Sequence, residues 1–188
     1  MRYRRLMVEG GTYFFTLVTF ERAGIFHDPA TAALFYQALN VVRREHPFVL
    51  DAHVVMPDHV HLLMTLPPDD SDFPTRLMLI KSGFTRRFTA GPSSSPESSL
   101  PEFRRASRRE RRVWQGRYWE HLVGDQAEFD SYVDYIHYNP VATGLVGGPG
   151  DWTESSFAHW VADGRRDPSW GTNRPERLPV VPWDSVGA

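Results

Sequence analysis

The chain predicts an α+β fold of the ferredoxin-like, split-βαβ kind, with an antiparallel sheet packed against helices on one face and a final helix brought to the sheet. Three observations carry this. Runs rich in β-branched and aromatic residues fall at 12–20, 49–66 and 113–123. Segments with apolar residues at helical spacing fall at 28–44, 73–88 and 126–138. The two kinds alternate as β-α-β-β-α-β-α, which is the order the split-βαβ unit requires. At 188 residues and 41% hydrophobic the chain makes one domain of ordinary size, residues 1–150, with an appendage at 151–188.

Thr12 to Phe20 reads as the first strand. Asp28 is placed to cap the first helix ahead of Pro29, and Ala33, Leu34, Ala38, Val41 and Val42 then recur at helical spacing as far as about Arg44. Val49 to Met56 and His59 to Leu66 are two apolar runs joined by Pro57-Asp58, a two-residue hairpin signal. Phe73 to Phe88 predicts a second helix with a basic exposed side, and the Ser/Pro-rich stretch from Gly91 to Pro101 a loop. Val113 to Val123 returns to strand character. Gln126 to Tyr138 predicts the last strong helix, ended by Asn139-Pro140. Beyond Gly150 no periodicity is visible, so that stretch is expected to be an irregular extension packing through Trp152, Phe157 and Trp160.

The most informative residues are His59 and His61 in Met56-Pro57-Asp58-His59-Val60-His61-Leu62-Leu63-Met64. Side chains at i and i+2 of a strand share a face, so both imidazoles can meet one metal ion while Val60 turns to the opposite side. In Tyr135-Ile136-His137-Tyr138-Asn139-Pro140, Tyr135 and Asn139 lie one helical turn apart on one face. A histidine pair plus a tyrosine beside an amide points to phosphodiester chemistry through a tyrosyl nucleophile. Tyr132, one turn earlier, is the main rival for that role, and Tyr138 a weaker one.

Composition narrows the classes. There is no cysteine, which removes disulfides, thiolate metal sites and cysteine nucleophiles and agrees with a reducing cytoplasm. No apolar run approaches the ~20 residues of a membrane span, and no signal peptide is recognisable, so a cytoplasmic protein is expected. The formal net charge is −2, but its distribution is uneven. Arg104, Arg105, Arg108, Arg109, Arg111, Arg112 and Arg117 crowd one segment, with Arg76, Lys81, Arg86 and Arg87 upstream. Arginine's planar fork suits phosphate oxygens, and Phe103, Trp114, Tyr118 and Trp119 nearby offer rings for unpaired bases.

The longer patterns Met-Pro-Asp-His-Val-His-Leu-Leu and Tyr-Ile-His-Tyr-Asn-Pro-Val resemble those of the single-tyrosine, His-hydrophobe-His transposases of the IS200/IS605 type, and among them the REP-associated tyrosine transposases. The likeness extends from Gly10-Gly11-Thr12-Tyr13-Phe14-Phe15-Thr16 through Ile80-Lys81-Ser82-Gly83-Phe84-Thr85-Arg86-Arg87-Phe88 and Val113-Trp114-Gln115-Gly116-Arg117-Tyr118-Trp119-Glu120-His121 to Asn139-Pro140-Val141. It implies a strand transferase acting on hairpin-forming repeat DNA through a 5′-phosphotyrosine adduct. Tyr135 is then the nucleophile, and His59, His61 and the Asn139 oxygen are the metal ligands. Gly11, Thr12, Lys81, Arg86, Arg87, Arg108, Arg109, Arg111, Arg112 and Arg117 are then the DNA-contacting set. Mixed nitrogen and oxygen ligands with open positions suit Mg²⁺ or Mn²⁺. The expected partner is single-stranded or hairpin DNA with REP-like repeats, not a membrane, bound by a monomer or homodimer. One departure is Ala142-Thr143-Gly144 after Val141, where the family pattern leads one to expect a basic residue. Two other readings stay open on the residues: a DNA-hairpin-binding regulator without catalysis, and a metal-dependent phosphodiesterase using water.

Overall fold

The computed structural model describes residues 6–90, 113–175 and 177–182. Within these, strands β1 (Thr12–Val18), β2 (Val49–Val55), β3 (His59–Thr65) and β4 (Trp119–Leu122) form an antiparallel sheet in the order β2-β3-β1-β4. Helices α1 (Pro29–Glu45), α2 (Phe73–Ala90) and α3 (Gln126–Ala142) pack on it, and a short helix α4 (Phe157–Ala162) follows. This is the expected split-βαβ order. None of the described helices is long and apolar enough to cross a membrane.

Alternation along the strands sorts the core into two layers. Tyr13, Phe15 and Leu17 of β1 with Val60, Leu62 and Met64 of β3 face α1 and α2, where Phe35, Ala38 and Leu39 meet Leu77, Ile80 and Phe84. Phe14, Ala52, Val54 and Leu63 face the other way, toward Tyr132, Val133 and Ile136 of α3. The two crossover helices therefore share one face, and the last helix closes the opposite one. Asp28 caps α1 as its position predicts, accepting from the Ala30 N–H at 2.9 Å ahead of Pro29.

Three expectations about the elements need correcting. The last strand is four residues long, not eleven, because only Trp119 to Leu122 pair with β1, and upstream Trp114 makes an isolated bridge to Thr19. Helix α3 does not end at Asn139-Pro140. It runs through Pro140 to Ala142, closing with Thr143 N–H to Asn139 C=O at 3.0 Å and a left-handed Gly144. The region after Gly150 is not irregular throughout. Glu154 to Ser156 lie against β2, with Val55 N–H to Glu154 C=O at 2.8 Å and Ser156 N–H to His53 C=O at 2.9 Å, and α4 follows. As expected, Trp152 and Trp160 pack into the core, and their indole N–H groups donate to Val55 and Asp51 carbonyls. The stretch from Gly91 to Arg112, with the expected loop and most of the arginine cluster, lies outside the described residues.

Candidate active site

The site begins at the β2–β3 hairpin. The turn at Pro57-Asp58 is closed by Met56 N–H to His59 C=O at 2.8 Å, and the Asp58 carbonyl accepts from Thr19 N–H at 2.9 Å. β3 then runs beside β1 with His59 opposite Val18 and His61 opposite Thr16. Both imidazoles consequently lie on the α3 face, their ring centroids 4.7 Å apart, while Val60 enters the opposite core layer. The shared face inferred from i, i+2 spacing is what the backbone produces.

Each ring is anchored through Nδ1. His59 Nδ1 is 2.6 Å from Asp58 Oδ1, and Arg22 donates to the other carboxylate oxygen at 2.9 Å. Burial works to raise the Asp58 carboxyl, but its bonds to His59 and then Arg22 outweigh this and hold it down at about 2. His61 Nδ1 is 3.0 Å from the Thr16 hydroxyl. Burial, followed by the neighbouring His59, drives the His61 imidazolium well below its ordinary range, so that ring is neutral. Fixing Nδ1 sets the ring orientation and turns Nε2 toward the site, the arrangement found behind metal-binding histidines.

Helix α3 supplies the rest. Asp125 caps it by accepting from Glu128 N–H at 2.8 Å, and Val133 and Ile136 seat it on the sheet. One turn apart, Tyr135 and Asn139 reach the histidines together. The Tyr135 ring meets His61 edge-on at 5.2 Å, and the Asn139 amide nitrogen lies 3.5 Å from His61 Nε2. Three buried polar atoms here have no hydrogen-bond partner among the described residues: His59 Nε2, Asn139 Oδ1 and Tyr135 OH. Leaving such groups unpaired costs roughly 1–3 kcal/mol each, so their convergence marks a place built to receive something. His59, Tyr135 and Asn139 line a cavity of about 430 Å³, whose other walls include Arg22, Thr143, Arg174 and Leu178.

The rival tyrosines sit elsewhere. Tyr132 is 3% exposed and stacks on Phe14 at 4.5 Å; burial, then Glu128, raises its phenol far above the ordinary range. Tyr138 faces Trp170 at 6.5 Å. Neither lines the cavity with the histidines.

Of the residues expected to touch DNA, none of the described ones lines this cavity. Gly11 is buried in a turn where an added Cβ would stand 2.8 Å from the Tyr13 ring and 2.9 Å from the Val8 carbonyl. Thr12 pairs with Thr65 through their hydroxyls at 2.7 Å, at the end of β1 remote from His59. Lys81 donates to the Gln115 carbonyl at 2.9 Å, Arg87 donates to the Gly83 carbonyl at 2.9 Å, and Arg86 and Arg117 are exposed. Arg76 is 3% exposed and tied to Asp70 at 2.6 Å and to the His46 and Pro47 carbonyls, a structural clamp within the fold. Arg108, Arg109, Arg111 and Arg112 lie outside the described residues. The cations that do line the cavity, Arg22 and Arg174, carry no periodic or motif signal. Arg174 joins Ala142 and Thr143 in the lining, near the position where the helix lacks its expected basic residue. Asp58 and Thr16 were legible only as a turn residue and a strand residue, although the side chain at Asp58, directly before a candidate ligand, is a signal that could have been read.

Comparison with known proteins bears on this constellation directly. The family model described as "Transposase IS200 like" matches residues 7–139, a span from before β1 to Asn139. The chain belongs to the IS200-like transposase family. Within it the likeness is to REP-associated tyrosine transposases. The one from Escherichia coli K12 is 33% identical over 168 residues, covering 89% of each chain. A Haemophilus influenzae protein provisionally given the same name is 36% identical over 171 residues, covering 91% of this chain and 93% of its own. A solved REP-associated tyrosine transposase, described as bound to a REP hairpin, superposes with a TM-score of 0.75 at 30% identity, covering 96% of this chain and 98% of its own. This IS200-like transposase is thus matched along nearly its whole length, and the resemblance read from its motifs holds.

Proposed function

We propose that this transposase cleaves and rejoins single-stranded DNA at hairpin-forming, REP-like repeats, through a 5′-phosphotyrosine adduct on Tyr135 and with a divalent cation held by His59, His61 and Asn139. The observation that carries the reading is the convergence of three unpartnered buried atoms, His59 Nε2, Asn139 Oδ1 and Tyr135 OH, around the His61 ring. Two imidazole nitrogens and an amide oxygen make a donor set that fits Mn²⁺ or Mg²⁺ with positions left open. When bound, the cation supplies positive charge to a non-bridging oxygen of the scissile phosphate.

The chain's own residues do the rest. Asp58, braced by Arg22, and Thr16 hold the two rings by Nδ1. Seating of α3 on the sheet fixes where the Tyr135 oxygen sits, and a positioned nucleophile removes much of the entropic cost of the attack. The tyrosine oxygen forms a bond to phosphorus as the bond from phosphorus to the 3′ oxygen breaks. The phenol loses its proton, and the departing oxygen becomes a 3′-OH. A second 3′-OH later attacks the adduct, restores Tyr135 and reseals a strand, so the phosphodiester bond energy is kept without a nucleotide cofactor. Arg22 and Arg174 at the cavity offer charge to the strand on either side of the scissile phosphate. An enzyme of such DNA repeats would work in the cytoplasm, in association with the nucleoid.

The test is covalent trapping on an end-labelled hairpin carrying single-stranded flanks. The wild type is expected to give a protein–DNA adduct that EDTA prevents, and Tyr135→Phe to give none while hairpin binding persists. An adduct that survives in Tyr135→Phe and disappears in Tyr132→Phe moves the nucleophile by a turn. Cleavage without any adduct supports the water-dependent phosphodiesterase, and binding without cleavage the regulator.

A further inference from the structure

Resting on the reading of Tyr135 as the nucleophile, we propose that Arg166 is a positioning residue for strand transfer. From the segment 154–171 it grips Asp134, the residue before Tyr135, and so fixes the turn of α3 that carries Tyr135 and Asn139 against the histidines. This segment lies beyond Asn139, where the match to the family model ends.

The need for such a grip arises inside the helix. Pro140 stands within α3 and has no N–H, so the Ile136 carbonyl cannot accept the helical bond from position 140. That missing bond falls in the one turn on which the site depends, from Tyr135 to Asn139. Helices kink at such prolines, and a kink here moves Tyr135 relative to His59 and His61.

The segment holds this turn at three positions. Asp134, His137 and Tyr138 are spaced i, i+3 and i+4, so they share a face of α3 that is not the face of Tyr135 and Asn139. Arg166 donates to Asp134 Oδ1 at 2.6 Å, Ser156 Oγ lies 2.9 Å from His137 Nε2, and the Trp170 ring meets Tyr138 at 6.5 Å. At its other side the segment is tied to β2, the neighbour of the histidine strand. There Glu154 and Ser156 bond to the backbone of Val55 and His53, and the Trp160 indole donates to the Asp51 carbonyl. A path of fixed contacts thus runs from the sheet that carries the histidines, through 154–171, to the helix that carries the nucleophile.

Arg166 is the contact that sets distance and direction. A ring pair tolerates sliding, whereas a charged hydrogen bond does not. The guanidinium is itself held ready, 4.3 Å from the Trp170 ring centroid and 5.7 Å from that of Trp160, with the Arg166 N–H donating to the Trp160 carbonyl at 3.2 Å. The Arg166 and Asp134 side chains are 16% and 24% exposed, so water competes less for this pair than for one at the surface. Its neighbour Arg165 lies over the Trp160 ring instead, at 3.6 Å.

The experiment uses the full-length protein and reads three quantities: the single-turnover rate of adduct formation, the affinity for the same hairpin, and the fluorine resonance of 3-fluorotyrosine placed at position 135. Arg166→Met keeps an apolar stem beside Trp170 and removes the ion pair. It is expected to slow adduct formation by about 10- to 100-fold, the scale of a misplacement near an ångström, with hairpin affinity held within about twofold. The resonance is expected to be single in the wild type and broadened or split in Arg166→Met. Arg165→Met removes a charge from the same segment and is expected to keep the wild-type rate and resonance. Asp134→Asn breaks the ion pair from the helix side with the shape kept, and is expected to move both readouts the same way by less. Arg166→Lys, which restores the charge, is expected to recover part of the rate. A purely stabilising role predicts a lower melting midpoint with rate and resonance unchanged in Arg166→Met and Asp134→Asn. That result overturns the proposal, as does equal slowing in Arg165→Met. Absence of an adduct in the wild type instead fails the reading of Tyr135 as nucleophile, and the resonance still reports whether Arg166 fixes its ring.

Discussion

The two faces of the sheet are made from alternate residues of the same strands, yet they are built to different rules. On the α1/α2 face, Phe15, Leu17, Val60, Leu62 and Met64 are fully buried among apolar neighbours, and the Tyr13 hydroxyl accepts from Val8 N–H at 2.7 Å. On the α3 face, Thr16, His59, His61 and Asn139 are also buried, and His59 Nε2 and Asn139 Oδ1 have no partner among the described residues. Trp114 Nε1 departs from the first rule, beneath a cavity beside α2. A strand that alternates every residue can thus place stability on one side and chemistry on the other without either disturbing the other. The packed face offsets what the unsatisfied face costs.

The comparison breaks most visibly if the packed face is hollowed. Phe15 is fully buried and contacts Tyr13, Phe73 and Tyr118. Phe15→Ala is expected to lower unfolding free energy by about 3–5 kcal/mol, read from urea midpoints. Phe14, on the other side of the same strand, stacks on His61 and Tyr132. Phe14→Leu is expected to cost less stability than Phe15→Ala but to slow adduct formation more. Equal effects on both readouts would show that the two faces are not functionally separate.

Next in size is the brace behind the histidines. Asp58→Asn keeps the side chain's shape but removes the charge that joins Arg22 to His59. Mn²⁺ affinity is expected to fall about 10- to 100-fold, the usual effect of losing a partner behind a metal ligand, with the far-UV spectrum and the melting midpoint little changed. Electron paramagnetic resonance titration of Mn²⁺ measures this without DNA. Unchanged affinity would make Asp58 a turn residue only.

How much of this was open to a reader of the sequence follows the same division. Period-two and period-3.6 patterns belong to packing, and they gave β1, β2, β3 and both crossover helices within a few residues. The pair His59/His61 and the turn from Tyr135 to Asn139 are short-range geometry, so they too could be read. What escaped depends on single long-range contacts. Arg22 reaches Asp58 across 36 positions, and Ser156 N–H finds the His53 carbonyl across 103. Helix α3 passes Pro140 because the helix is seated by side chains on the sheet, which outweighs the one hydrogen bond a proline deletes. The approach to β4 kept strand-like residues, but Val113 to Tyr118 serve the core and the α2 cavity instead of the ladder.

Acid should weaken the seating of α3 on the sheet. His137 is fully buried on α3, its Nε2 2.9 Å from the Ser156 hydroxyl, and burial, followed by the charges of Arg166 and His53, lowers it to about 3. In the unfolded chain it binds a proton near its ordinary 6.5, so between that pH and about 3 the unfolded state holds the extra proton. Stability is therefore unaffected above 6.5 and lost as pH falls below it, by about 1.4 kcal/mol per unit for this group. His137→Gln is expected to be less stable at pH 7 yet to show a shallower decline from pH 6 to 4. Parallel curves for the two proteins would remove His137 from the acid response.

The smallest effect sharpens the comparison most, because it asks which face the DNA touches. Arg174 lines the catalytic cavity and Arg86 the cavity on the other side of the sheet. Each arginine that neutralises a phosphate releases counterions, so its removal should reduce the slope of log affinity against log salt by about 0.7 for a single strand or 0.9 for a duplex. Arg174→Gln and Arg86→Gln are each expected to flatten the slope by one such step for a hairpin with unpaired flanks, and the double variant by two. For a blunt hairpin, which brings no unpaired strand to either cavity, neither variant should change the slope. A slope moved by Arg86 but not by Arg174 would place the bound strand away from the C-terminal segment. The charge at the catalytic cavity would then come from Arg22, whose tie to Asp58 links it to His59.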